Sequence, residues 1–95
     1  MVLDHSLPGS DLIGKGIDDL RRGLESVESL VVSIGAARLR EAGLAIPANT
    51  LPSPERRLYA LLSESDPDSA HSRYNALVRR LVSFERAAEC ANPPT

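Results

Sequence analysis

His71 is the imidazole with the most chemistry around it, in the run Ala70-His71-Ser72-Arg73-Tyr74-Asn75 followed by Arg79, Arg80 and Arg86. An imidazole can take and return a proton near neutral pH, and guanidinium groups hold anions. On a helix turning about 100° per residue, His71 and Asn75 form an i, i+4 pair on one shoulder of the apolar face, continuing toward Arg79 and Arg86. Arg73 and Arg80 fall on the other shoulder. The set suits acid–base work beside a bound anion. It lacks a second carboxylate or a nucleophile in register, so the same residues also read as a solvated boundary in which His71 satisfies a nearby backbone group.

Other chemical signatures fail on their spacing. Gly9-Ser10-Asp11-Leu12-Ile13-Gly14-Lys15-Gly16 follows the phosphate-loop pattern as far as its lysine, but Gly16 stands where Ser or Thr must ligate magnesium. Residues 1–8 offer no buried strand to precede such a loop, with Asp4, His5 and Pro8 among them. No nucleophile elbow is present. His5, His71 and Cys90 are too scattered for a metal site. The sequence therefore assigns no catalytic residue, no metal and no cofactor.

Arginine accounts for ten of the eleven basic residues, a usage that reads as genomic base composition. Between Ala70 and Ala88 four arginines face Glu85 alone, although the chain as a whole carries a net charge of −2. A basic helix of this kind can meet phosphates, which makes nucleic-acid binding an alternative function. Weighing against it, no helix-turn-helix spacing leads into this helix, and Tyr59, Tyr74 and Phe84 are the whole aromatic complement available for stacking on bases.

The elements that must position these residues are helices. Ile13, Ile17, Leu20, Leu24, Val27, Val31 and Ile34 alternate in steps of four and three, the seam by which helices pack side by side. A core of Leu, Ile, Val and Ala with few aromatics suits the same architecture. The expected fold is all-α, an up-down bundle of three or four helices with short capped connections. Residues 1–9 read as a flexible arm, 10–91 as one bundle domain and 92–95 as a tail. Ser10 or Asp11 can cap a first helix running to about Arg22. Gly23 to Ser26 is a joint with Ser26 as the next cap, although the heptad phase also admits one helix over 11–42. Gly43 suits the left-handed end of the second helix, with Leu44 folding back on Leu39. Residues 44–52 form a loop with apolar plugs. Ser53-Pro54-Glu55 starts a third helix burying Leu58, Leu61 and Leu62, and Asp66-Pro67-Asp68 starts the last, which Asn92-Pro93-Pro94 ends.

The second helix carries apolar residues on two sides. Val27, Leu30, Val31, Ile34 and Ala37 share one face, while Val32 and Ala36 lie opposite with Gly35 beside them. Either the third or last helix covers that second face, or a partner does. The expected function is a non-enzymatic protein-interaction or regulatory module acting through helix–helix contacts, as a homodimer or with another protein, with Val32, Gly35 and Ala36 at the interface. Nucleic-acid binding by the last helix is the first alternative, and a small enzyme with His71 as acid–base is the second. No run reaches membrane-spanning length and the first dozen residues hold no apolar leader, so the expected location is the cytoplasm without membrane association. Arg38 and Glu85 each interrupt an apolar stripe near a helix end, and their placement predicts an ion pair at the rim of the core.

Overall fold

The computed structural model describes residues 7–91; the expectations for the rest of the arm, including His5, and for the 92–95 tail lie outside those residues. Within them the chain is an all-α bundle of five helices: α1 (Ser10–Arg21), α2 (Val27–Ile34), α3 (Ala36–Glu41), α4 (Pro54–Ser65) and α5 (Ala70–Ala91). Leu7 and Gly9 are tied to the bundle. Leu7 packs on the core and its carbonyl accepts from the Ser10 amide at 3.2 Å. Gly9, not Ser10 or Asp11, caps α1, and Ser10 is the first helical residue.

The joint between α1 and α2 is real, and two devices make it. Gly23 takes a left-handed φ of 71° and closes α1, with its amide bonded to Leu20 O at 3.0 Å and the Leu24 amide to Asp19 O at 2.8 Å. Those two bonds form a Schellman motif, which satisfies the last carbonyls of the helix. Ser26 then opens α2: its Oγ accepts from the Ser29 amide at 3.0 Å, and Ser29 Oγ accepts from the Ser26 amide at 2.7 Å. The continuous 11–42 helix is excluded, and the seam folds back on itself as an antiparallel hairpin. Ile13, Ile17, Leu20 and Val31 are buried, whereas Leu24, caught in the turn, is 49% exposed.

Hairpin closure depends on Gly16. A Cβ there would collide with the Glu28 carbonyl and Val32 Cγ2, so the two backbones cross where α1 has no side chain. This is why glycine occupies the position that a phosphate loop would give to a hydroxyl. Lys15 is equally committed, bonding Asp19 Oδ2 at 2.8 Å.

One expected helix becomes two. Gly35, at φ −95° and ψ 10°, ends α2 and caps α3, and α5 lies so close that a Cβ at that position would stand 2.8 Å from both Glu85 Oε2 and Leu81 Cδ1. The end of α3 follows expectation: Gly43 has a φ of 98°, its amide bonds Arg40 O at 3.0 Å, and the Leu44 amide bonds Leu39 O at 3.1 Å. Leu44 and Ile46 plug the core from the following loop. That loop is pinned by Asn49 Nδ2 donating to Leu20 O at 2.8 Å and by the Leu51 amide donating to Ser33 Oγ at 3.1 Å. Ser53 precedes α4 with a left-handed φ of 46° and makes no side-chain cap hydrogen bond, and Pro54 supplies the first helical residue. Asp66 holds the turn into α5 by accepting from the Asp68 amide at 3.2 Å and from Ser69 Oγ at 2.9 Å.

Val32, Gly35 and Ala36 correct the expectation of an outward face. Val32 is 0% and Ala36 7% exposed, and Gly35 is buried. α2 is the central rod: α1 crosses it at Gly16, α4 packs along it, and α5 covers the break at Gly35. Its second apolar face is filled within the chain.

Candidate interaction surface

The polar residues expected to gather on the last helix separate into local pairs. His71 is exposed, with Asn75 Nδ2 lying 3.2 Å from its Nε2. Arg73 turns toward α4 and donates to Ser65 Oγ at 3.0 Å. Arg80 reaches Asp11 Oδ1 of α1 at 3.0 Å and, as the largest cause, holds that carboxyl below the usual aspartate range. Arg79 is exposed on the flank where Arg86 also stands. The structure brings together His71 and Asn75 but not the four arginines, which point to two sides of α5 and are partly engaged in tying it to its neighbours. Among the described residues no three His, Cys, Asp or Glu side chains are grouped to hold a metal ion. No helix among them is long and apolar enough to cross a membrane.

Two polar clusters that do form serve the fold. At the hairpin, Asp19 is buried, accepting from Lys15 Nζ at 2.8 Å and from Ser26 Oγ at 2.6 Å. Those bonds, led by Lys15, hold its carboxyl below the ordinary value, and Asp19 in turn raises Lys15. Glu28 Oε2 lies buried 3.6 Å from Lys15 Nζ. At the other end, Arg38 Nε and Nη2 donate to Glu89 Oε1 and Oε2 at 2.7 and 3.3 Å, and Arg38 Nη1 stands 3.7 Å from Glu85 Oε1. The Arg38–Glu85 pair is therefore present, but Glu89 is the tighter partner. Sequence reasoning passed over Glu89 because one turn further along α5 interrupts no stripe.

The surface residue that stands out is aromatic. Of the three aromatic side chains, Phe84 is fully buried, while Tyr59 of α4 is 42% exposed. Tyr59 meets Tyr74 of α5 with ring centroids 5.8 Å apart and planes tilted at 60°. From Tyr74 the half-buried positions Val78 and Val82 continue along the same shoulder of α5 at helical spacing, edged by His71, Asn75, Arg79 and Arg86. Tyr74 also rests on the core, which anchors the inner end of the pair. The result is an apolar strip with a polar rim at the α4–α5 surface. On another side of α4, Glu25, Arg57, Ala60, Leu61 and Glu64 line an open groove of about 200 Å³, across which Arg57 pairs with Glu25.

Compared with protein-family models, with functionally described proteins and with solved structures, the chain matches none.

Proposed function

We propose that the protein is a small helical interaction module whose contact surface is the Tyr59–Tyr74–Val78–Val82 strip. The observation that carries this reading is the use of the aromatics. A chain with three such side chains places two of them together at the surface, one of them 42% exposed. Tyrosine presents a large rigid apolar face with a polar tip, and a tyrosine-centred patch edged by arginines has the composition of a protein-binding hot spot. A helix laid along the strip would bury apolar area at the centre and leave His71, Asn75, Arg79 and Arg86 at the rim. A second copy of the chain is the simplest occupant, because two α5 helices can meet face to face across a two-fold axis.

Sedimentation velocity over a wide concentration range tests that occupant. The wild type should gain mass with concentration, and Tyr59→Glu, which puts a charge in the strip on an exposed residue, should remain a folded monomer. A monomeric wild type at every concentration removes the second copy and leaves a different protein as the partner.

A further inference from the structure

Glu85 belongs to no part of the contact strip. It sits on α5 against the α2–α3 break and is 4% exposed, among Leu81, Phe84 and Ala88, which are buried with it. The Gly35 backbone lies so close that a Cβ there would stand 2.8 Å from Glu85 Oε2. The cation nearest to it, Arg38 at 3.7 Å, is already bound through two hydrogen bonds to Glu89. Among the described residues, the charges acting on Glu85 are Arg38 of α3 and Glu89 on the next turn of α5. Glu41 acts on Arg38. Asp11 of α1 is held by Arg80, and α4 meets α5 through Tyr59 and Ser65 toward the opposite end.

Two carboxylates thus share one guanidinium, and the better-paired one is the more exposed. Burial of a carboxyl left with the weaker partner favours its neutral form relative to solvent. Burial pushes the Glu85 carboxyl above the ordinary glutamate range, against the pull of Arg38 and with a push from Glu89. Arg38 holds Glu89 below that range.

We propose that Glu85, Arg38 and Glu89 form a proton-operated latch at the Gly35 break, closed with α3 packed on α5 when Glu85 is neutral and loosened when it is ionised. The moving part is α3, six residues separated from α2 by a glycine. The sign follows from linkage. A carboxyl raised in the folded state stabilises that state at low pH, and the contribution is lost as pH rises through the raised value. Glu89 behaves oppositely, and its contribution fades only in stronger acid. The latch is tightest in mild acid, between the two.

Native-state hydrogen exchange on the full chain, corrected for the intrinsic pH dependence, tests this. The probes are the amides of Leu39 and Ala42, which bond Gly35 O at 2.9 Å and Arg38 O at 3.0 Å. From about pH 5 to about pH 8, wild-type protection at these amides should fall several-fold while that of α1 holds. In Glu85→Gln it should stay high throughout, and in Glu89→Gln, where Arg38 is released to Glu85, the fall should shrink. An equal pH response in wild type and Glu85→Gln would overturn the latch, as would α1 and α3 losing protection together.

Discussion

Gly16 and Gly23 are both glycines of one helical hairpin, and the structure gives them opposite reasons. At Gly23 a Cβ would meet nothing within 4 Å, but its φ of 71° strains any L side chain. At Gly16 the obstacle is the facing α2 backbone. Gly23→Ala should therefore cost about 1 kcal/mol, where the same change inside a continuous helix would gain about 0.5–1 kcal/mol. Gly16→Ala should cost about 1–3 kcal/mol by overpacking, more than offsetting the better helix propensity of alanine. Thermal melts of the two variants check both signs. Asp19→Ala should destabilise by about 1–3 kcal/mol, since it strips the partner from Ser26 at the cap and from Lys15. The depressed carboxyl of Asp19 stabilises the fold above the usual aspartate range, and that contribution is lost as pH falls through the depressed value.

Among the elements, some helix ends were legible in the sequence because they rest on local chemistry, although the caps expected at Ser10 or Asp11 and at Ser53 do not form. Ser26, Pro54 and the Gly43–Leu44 turn can be read from a few neighbouring residue types. Apart from the Arg38–Glu85 pair, what could not be read was set by distant segments. The need for glycine at position 35 arises from the approach of Leu81 and Glu85, and the burial of Val32 from the glycine on α1 that admits it. A pattern of apolar residues shows that a helix has two faces to cover and is silent on what covers them. With α2 enclosed, Val32→Glu should abolish folding rather than yield a folded monomer, because the charge would enter a site with no exposure. Circular dichroism of the purified variant decides between the two outcomes. The Arg38–Glu89 pair lies at the surface, so a double-mutant cycle on its two residues should give only the small, salt-sensitive coupling of a solvated ion pair.

At the scale of the whole molecule, one shoulder of α5 is only partly covered. α5 has 22 residues against 12 in α1 and in α4, in a molecule measuring 43 × 25 × 19 Å. Its shoulder from Tyr74 to Val82 is half-buried. The bundle class was legible from composition and period. The strip was not, because Tyr59 and Tyr74 lie on different helices, and no spacing within one helix relates them. The polar residues around His71 drew attention in the sequence by being dense, yet the fold spends Arg73 and Arg80 on Ser65 and Asp11. The most direct measurement of the proposed contact surface is site-specific photo-cross-linking in living cells. A photoreactive residue at Tyr59 should give a discrete adduct, at twice the chain mass for a second copy or at another mass for a different protein. The same group at Glu64, exposed on the other side of α4, should give none. No adduct at position 59, or equal adducts at both positions, would contradict the assignment of the strip as the surface through which this protein acts.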